Sequence, residues 1–334
     1  MKLLRPIGMF ALATACATLA FADAGHKTIQ STAQRGDLDG LKAYLTDAPE
    51  MVNARDATGS TPLHAAALAR EPEAVLTYLL AHGADVAAKD AAGDTPLHVA
   101  ARTLRAKPVQ QLIAAGADVN EPNDRGETPL HVAVLMGVNL KHDAERRQAT
   151  VQALIAAKAD LNAVDADNRT PLHLAAARSR TLAAEALIDA SADVNAGDNQ
   201  QRTPLHWAAV ANDTAIIAAL LDHKADIAAK DQAGNTALHA AATRFRKDAI
   251  KTLLERGADV NALNDTKATP LIVLASTSQA HRDVDDMLVA AATVLVDAGA
   301  DVNLLDANHQ TALDYARQKG YTHLAAYLVE HGGA

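Results

Sequence analysis

Cysteine is nearly missing from this sequence of 334 residues. The one cysteine, Cys16, lies in an apolar stretch near the N-terminus, and a single thiol cannot form an internal disulfide. It also cannot supply the several thiolates that a cysteine-based metal site requires. We therefore expect the fold to be stabilised by packing and hydrogen bonds, with no thiol chemistry in its function.

Aromatic residues are scarce as well, at 3% of a chain that is 49% hydrophobic. A large globular core is usually anchored by aromatic rings, because each ring buries a large apolar area. Few rings and many alanines favour thin helices stacked in layers that cover one another. Such an array can grow along one axis without the division into domains that a compact core of this length undergoes.

Blocks of lysine or arginine are absent, and the formal charge is -9. Since binding to phosphates needs concentrated positive charge, we expect no nucleic-acid partner. The G-x-S-x-G, P-loop, G-x-G-x-x-G and H-E-x-x-H motifs are missing too. We therefore expect no enzymatic activity and no cofactor.

Residues 1–22 have the pattern of a secretory signal peptide. Lys2 and Arg5 precede an apolar stretch over 7–20, and Ala20-Phe21-Ala22 fits an A-x-A cleavage site. We predict cleavage after Ala22, a periplasmic or secreted product, and no membrane insertion after cleavage. Loss of the leader would change the formal charge from -9 to -11.

Two alternatives to a cleaved signal peptide remain. The first is an uncleaved anchor, although the apolar stretch is short for the ~20 residues that span a bilayer. The second is a lipoprotein modified at Cys16, which has a small residue before it but lacks the usual leucine three places earlier.

The tetrapeptide Thr-Pro-Leu-His recurs along the rest of the chain. Intact copies begin at Thr61, Thr95, Thr128, Thr170 and Thr203, and altered copies begin at Thr236, Thr269 and Thr311. The successive intervals are 34, 33, 42, 33, 33, 33 and 42 residues. Each threonine is a suitable N-cap whose hydroxyl can accept a backbone hydrogen bond, and each proline suits the first helical position.

A second helix follows in each period and is predicted to end at a residue in the left-handed conformation. Gly83 ends the first of these helices, as Gly suits that conformation. Lys158, Ser191 and Lys224 stand where other periods have glycine. A side chain there costs on the order of 1 kcal/mol.

A period near 33 residues with this tetrapeptide resembles the ankyrin repeat family. The resemblance implies an all-α repeat solenoid of helix-turn-helix units with β-turn fingers, as a single array over 23–334. It implies about nine repeats including two caps, starting near residues 28, 61, 95, 128, 170, 203, 236, 269 and 311. In the family, the motif histidine links the backbone to the neighbouring repeat by hydrogen bonds.

We expect no metal site. Neighbouring motif histidines lie on helices ~8–10 Å apart, whereas zinc ligands must all lie within ~2.1 Å of one ion. Asp283, Asp285 and Asp286 form an acidic cluster, but a calcium loop needs further ligands, a glycine and a distal glutamate. The helix dipole explains acids at a helix start.

The two intervals of 42 residues indicate insertions between the helices of the fourth and eighth repeats. They fall around Gly137 to Arg147 and near Ser276 to Asp285. They are either a longer loop or an added helical turn without a role, or protrusions that extend a binding surface or contact each other.

Partner contacts are expected from the turn tips and the exposed ends of the first helices, where members of the family usually hold partners. These side chains differ between repeats while the frame does not: Arg102, Thr103, Asp124, Arg125, Glu127, Asp167, Arg169, Arg178, Asn199, Gln200, Arg202, Gln232, Asn235, Thr243 and Arg244, with Asp265 and Lys267 in the same setting. Some of them are merely solvated loop residues on the alternative interpretation. Trp207 is expected to pack between helices rather than to anchor a partner.

The resemblance implies a monomeric, non-enzymatic scaffold that binds a protein partner through its concave face. With the leader it indicates a bacterial periplasmic protein, similar in layout to periplasmic ankyrin proteins linked to stress protection by supporting catalase. The alternatives are an inhibitor or immunity protein that blocks a toxin or enzyme, and a secreted effector.

Overall fold

The computed structural model describes residues 28–137, 141–278 and 284–334. These residues form eighteen α-helices, one 3-10 helix and no β-strand, which confirms the predicted all-α fold class. The chain divides into two compact units, Met1–Asp118 and Val119–Ala334. The predicted leader over 1–22 lies outside the described residues, and a single array over 23–334 stays a prediction.

Pairs of short helices repeat throughout both units. The first unit contains α1 (Ile29–Gln34), α2 (Leu38–Asp47), the 3-10 helix (Pro49–Asn53), α3 (Pro62–Leu68), α4 (Glu73–Ala81), α5 (Pro96–Arg102) and α6 (Ala106–Ala114). The second unit contains α7 (Pro129–Leu135), α8 (Lys141–Ala156), α9 (Pro171–Ala177), α10 (Thr181–Asp189), α11 (Pro204–Ala211), α12 (Thr214–Asp222), α13 (Ala237–Thr243), α14 (Lys247–Glu255), α15 (Pro270–Ser276), α16 (Val284–Asp297), α17 (Ala312–Lys319) and α18 (Thr322–Glu330).

Each first helix begins at the motif threonine, as the sequence predicts. Thr61 is extended, with φ −90° and ψ 167°, and Pro62 takes the first helical position. The expected cap is half of a reciprocal capping box, in which the histidine ring adds a bond that the sequence analysis did not anticipate: the Thr61 N–H donates to Nδ1 of His64 at 3.2 Å. The expected bond from the histidine N–H to the threonine hydroxyl is long where it occurs, 3.5 Å between His173 and Thr170.

The core consists of small side chains on the first helices and branched ones on the second. The alanine pair Ala175 and Ala176 is fully buried, as are Leu187 on α10 and Leu220 on α12. Within each unit, first helices pack against neighbouring first helices and second helices against second helices. Alanine permits this close approach because it has almost no side chain to accommodate.

The left-handed helix ends are confirmed. Lys158, Ser191 and Lys224 have φ of 62°, 71° and 66°, and Gly257 at the equivalent position has φ 90°. The short helices therefore end by the same backbone turn whether or not glycine is present.

In several repeats an asparagine after the second helix bridges to the next repeat, which the sequence analysis did not anticipate. The Asn195 side chain donates to the carbonyl oxygen of Lys224 at 3.3 Å and accepts the Asp226 N–H at 2.8 Å. Asn53, Asn261 and Asn303 make the same pair of bonds. Ala228 stands at this position one repeat later, and a cleft of ≈ 290 Å³ lies there, lined in part by Gly257 and Asp259.

The insertions lengthen second helices. α8 has 16 residues and α16 has 14, against 9 in α10 and α12. The extra turns are at the N-terminal ends, and α8 packs on α10 as α16 packs on α18. The structure shows added helical turns, and whether the insertions extend a binding surface stays a prediction. Residues 138–140 and 279–283 of the insertions lie outside the described residues.

Replacing Lys224 by glycine should stabilise the protein, because glycine adopts φ 66° without the strain of a side chain. We expect Lys224→Gly, and likewise Lys158→Gly, to add about 1 kcal/mol to the free energy of unfolding, a rise of roughly 2–4 °C in a thermal melt. Gly257→Ala is the matched reverse change: a Cβ there meets nothing within 4 Å, so only φ opposes it and the melting temperature should fall. A fall with Lys224→Gly would contradict the placement of this helix end.

Placing asparagine at 228 should supply the missing bridge. Its side chain would reach the Gly257 carbonyl oxygen and the Asp259 N–H, as Asn195 reaches their equivalents. We expect Ala228→Asn to stabilise by about 1 kcal/mol and Asn195→Ala to destabilise by a similar amount, both measured by urea unfolding. If Asn195→Ala lowers stability and Ala228→Asn leaves it unchanged, the two positions are not equivalent.

Candidate functional site

The motif histidines are held on both ring nitrogens. In the second repeat, Nδ1 of His64 lies 3.2 Å from the Thr61 nitrogen, and Nε2 lies 2.9 Å from the carbonyl oxygen of Asp94 in the next repeat. A carbonyl oxygen only accepts, so Nε2 carries the proton; Nδ1 then accepts the threonine N–H. Equivalent bridges join His131 to Arg169, His173 to Arg202, His206 to Asn235 and His239 to Ala268, at 2.9–3.1 Å.

These rings are held in the neutral form. Burial lowers the pKa of His64, His131, His173, His206 and His239, and it outweighs the opposing effect of the backbone carbonyl that each ring contacts. Protonation would set an N–H at Nδ1 against the threonine N–H and break the cap. Within the described ranges, no group of three or more His, Cys, Asp or Glu residues could hold a metal ion.

The turns between repeats, which we call the fingers, share a carboxylate or amide at their base. In the finger before Thr203, one oxygen of Asp198 accepts the backbone N–H groups of Gln200 at 2.8 Å and Arg202 at 3.0 Å. Asp56, Asp90, Asn123, Asp165, Asp231, Asn264 and Asp306 accept the same two N–H groups in their own fingers. Each finger is therefore a turn organised around one acceptor, which is buried or half-buried in every finger except that of Asp56.

Successive fingers are also joined to one another. The Asn199 N–H donates to the Asp167 carbonyl oxygen at 3.1 Å, and the Gln232 N–H to that of Gln200 at 2.8 Å. The same bond joins Ala166 to Arg125, Asp265 to Ala233 and Ala307 to Thr266. The tips that sequence analysis assigned to partner binding thus stand on a continuous backbone ladder.

Several predicted contact residues are engaged within their own fingers. Arg169 forms a two-point pair with Asp165, at 2.8 and 2.9 Å, and also contacts Asp167 at 3.0 Å. Arg202 pairs with Asp198 at 2.8 and 3.0 Å. Both arginines are about one-third exposed, so each fixes the finger while one side of its guanidinium faces solvent.

Two more predicted arginines have acidic partners. Arg125 contacts Glu127 at 2.9 and 3.0 Å, and Glu127 itself is buried. Arg102, at the end of α5, pairs with the buried Asp94. The sequence analysis missed this buried acid, although its position directly before the tetrapeptide is the one that Glu127, Arg169 and Arg202 occupy in other repeats.

Trp207 is part of α11, and its ring contacts the finger before Thr203, which the sequence analysis did not anticipate. Its Nε1–H donates to Asp198 at 3.1 Å, and the Arg202 guanidinium lies 4.0 Å from the ring centre. The ring is half-buried. Burial raises the pKa of Asp198, but hydrogen bonds from the Arg202 side chain and from the Gln200 and Arg202 N–H groups outweigh it and hold the pKa below its usual value.

The remaining predicted side chains lie at exposed positions. Arg178, Thr243 and Arg244, at or just after the ends of α9 and α13, are exposed, and Thr103 is half-buried. Asp124, Asp167, Asn199, Gln200 and Gln232 are exposed at the tips, as are Asp265 and Lys267, while Asn235 is half-buried and holds Asp231. Within 119–334 we call the exposed tips, the Arg202–Trp207 pair and the exposed helix ends the recognition face.

Comparison with known proteins agrees with this repeat geometry. The family profile described as ankyrin repeats (3 copies) matches residues 29–123, 140–231 and 197–264, more than half of the chain. The chain belongs to the ankyrin repeat family.

Among solved structures, the crystal structure of the human ASB11 ankyrin repeat domain is similar to this ankyrin chain at 27% identity. The TM-score is 0.60, and the match covers 72% of this chain and 99% of that domain. A search of curated protein sequences finds no match.

Membership of the family carries a general functional meaning. Ankyrin repeats are protein–protein interaction modules and in general non-enzymatic scaffolds. Over the ranges that the structure describes, no ankyrin helix combines the length and the apolar character that crossing a membrane requires.

Acidification should destabilise the ankyrin frame at pH values well above those at which carboxylates titrate. The five histidines have lowered pKa values when folded, so the unfolded chain binds more protons as the pH falls below ~6.5. Their contribution to stability is complete above that pH and is lost below it, by at most ~1.4 kcal/mol per pH unit for each ring.

The measurement is the urea midpoint between pH 7.5 and 5.5. His323 contributes a pH dependence of stability with the opposite sign, since Asp286 raises its pKa. It is a single histidine, whereas five histidines have lowered pKa values. His239→Gln should reduce the slope of stability against pH even where it lowers stability itself. A midpoint that is constant or rises on acidification would contradict the assigned ring states.

Proposed function

We propose that this protein is a non-enzymatic scaffold that binds a protein partner through the recognition face. One observation carries the proposal. The groups that build the frame are already bonded to one another, as with His173 to Arg202 and Asp198 to its finger. Most of the tip and helix-end side chains that differ between repeats are exposed on this frame.

A frame of this kind favours binding because little of it has to be ordered. The fingers are joined by backbone bonds, and their arginines are positioned by carboxylates before any partner arrives. Association then costs less conformational entropy than it would for free loops. The conformational entropy of these arginine and tryptophan side chains is already lost when the protein folds.

Trp207 is the centre of the proposed contact. Tryptophan and arginine are the residue types most enriched among those that dominate binding energy, and here Arg202 stacks on the ring. Arg178 and Arg244 lie in the repeats on either side and are exposed. Their planar guanidinium groups suit directed bonds to backbone carbonyls or carboxylates of a partner.

We also propose that residues 1–22 export the protein and are removed after Ala22, on the pattern of charge, apolar stretch and A-x-A site. The partner would then be a periplasmic or secreted protein, with a role in stress protection as one possibility. An inhibitor or immunity protein is the second candidate, because a rigid face can also occlude an enzyme.

The test is a pull-down from a periplasmic extract of the native host with wild-type protein and an Arg178→Glu/Arg244→Glu variant. Arg102 is left unchanged because glutamate there would face the buried Asp94 and damage the finger. Lys247→Glu/Lys251→Glu is the matched control, since it makes the same charge change on the exposed side of α14.

We expect a partner that is retained by wild type and by Lys247→Glu/Lys251→Glu and whose binding is weakened by at least ten-fold in Arg178→Glu/Arg244→Glu. Trp207 fluorescence should shift on binding. Equal retention by all three proteins would contradict the recognition face. Loss of a toxin's or enzyme's activity on addition of this protein would favour the inhibitor alternative over the adaptor.

A further inference from the structure

Asparagine side chains join the ends of successive second helices at several points along the chain. Asn195, which follows α10, donates to the Lys224 carbonyl oxygen beyond the end of α12 at 3.3 Å and accepts the Asp226 N–H at 2.8 Å. A carboxamide can do this because its nitrogen only donates and its oxygen accepts. The chain itself therefore shows which chemical group fits between such a carbonyl oxygen and such an N–H.

One repeat later the same two backbone groups are present without the carboxamide. Ala228 stands at the asparagine position, and its methyl group forms no hydrogen bond. A cleft of ≈ 290 Å³ lies beside Ala228 and is lined by Gly257 and Asp259, which correspond to Lys224 and Asp226. Among the residues that the structure describes, neither the Gly257 carbonyl oxygen nor the Asp259 N–H has a hydrogen-bond partner within the protein.

Apolar side chains form part of the wall of this cleft. Ile227, Ala262 and Leu263 line it, together with Lys230 and Thr236. Leu263 has 43% of its surface exposed, and Lys230 donates to the Leu263 carbonyl oxygen at 2.8 Å, which fixes the backbone of this wall. The cleft therefore offers an apolar contact next to the two unpaired backbone groups.

The two backbone groups discriminate against charged ligands. A carboxylate only accepts, so one of its oxygens would face the Gly257 carbonyl oxygen; an ammonium group only donates, so it would face the Asp259 N–H. The side chains at the rim carry both signs, with Lys230 on one side and the Asp259 carboxylate, which accepts the Asn261 N–H at 2.9 Å, on the other. A neutral carboxamide satisfies both backbone groups at once.

We propose that this cleft binds an asparagine side chain of another polypeptide, with an apolar residue beside that asparagine packed against Leu263. The carboxamide nitrogen donates to the Gly257 carbonyl oxygen, and the carboxamide oxygen accepts the Asp259 N–H. This is the arrangement that Asn195 has one repeat earlier.

The exposure of the cleft indicates a polypeptide rather than a free amide. Gly257 and Asp259 are both exposed, and hydrogen bonds that replace bonds to water contribute little net free energy. Apolar contact with Leu263 adds what the two bonds lack, because it removes hydrocarbon surface from water. No residue that lines the cleft belongs to the recognition face, so the inference does not depend on the proposed function.

A cleft without a binding role makes a different prediction. If Ala228 only interrupts the asparagine pattern, peptides that carry asparagine or aspartate will not be distinguished. The probes are therefore N-acetylated, C-terminally N-methylamidated dipeptides of sequence Asn-Leu and Asp-Leu at equal ionic strength, with acetamide as the free amide. The readouts are the backbone amide resonances of Asp259 and Asp226 in the isotopically labelled full chain.

We expect the Asn-Leu peptide to shift the Asp259 resonance saturably and to bind about ten-fold more tightly than the Asp-Leu peptide or acetamide. Ala228→Asn introduces the internal carboxamide, so the Asp259 resonance should move without peptide and no longer respond to it. Asn195→Ala is the reverse change: the Asp226 resonance, which should not respond in the wild type, should then respond to the Asn-Leu peptide.

Several results would overturn the proposal. An absent or unsaturable shift of the Asp259 resonance would do so, as would equal binding of the Asn-Leu and Asp-Leu peptides. An unchanged peptide response in Ala228→Asn would place the peptide elsewhere, and acetamide binding as tightly as the peptide would contradict a polypeptide ligand. Discrimination between the peptides at Asp259, lost in Ala228→Asn and gained at Asp226 in Asn195→Ala, supports it.

Discussion

The hydrogen bonds of the motif histidine are the constraint on which this fold depends. One ring nitrogen accepts the N–H that starts a helix, and the other donates to the carbonyl oxygen that ends the next finger, as His173 does between Thr170 and Arg202. A neutral ring can do both at once, because one of its nitrogens accepts and the other donates. Each repeat thereby sets the position of its successor, and a short helix that would be marginal by itself gains a fixed start.

The polar groups of the repeat framework bond to one another, so the exposed side chains are the ones that remain for recognition. Finger carboxylates, bridging asparagines and ring nitrogens are used within the fold, and several arginines that could have met a partner are paired with acids instead. An arginine held by a carboxylate still presents one side to solvent, and Trp207 shares its acceptor with Arg202. The same side chains therefore stabilise a finger and form part of the recognition face.

The two insertions lengthen equivalent helices but place different residues at the start of the neighbouring helix. An extended second helix reaches the start of the second helix of the next repeat in both places. At Asp285 it closes that helix end with a carboxylate. At the equivalent position Ala144 has no carboxylate, and the Ala183 N–H donates to the Arg180 carbonyl oxygen instead. One substitution therefore changes how the first N–H groups of the neighbouring helix are satisfied.

The sequence by itself determined the helix pairs, their starts and the left-handed ends at Lys158 and Lys224, because these depend on contacts within a few residues. It also indicated which positions vary on the frame. Only the tertiary structure decided that Arg102 and Arg202 pair with acids, that the Trp207 ring contacts a finger, and that Asp285 meets the start of α18. Those contacts join residues of different helices and turns, and the register of packed layers, which no local pattern encodes, brings them together.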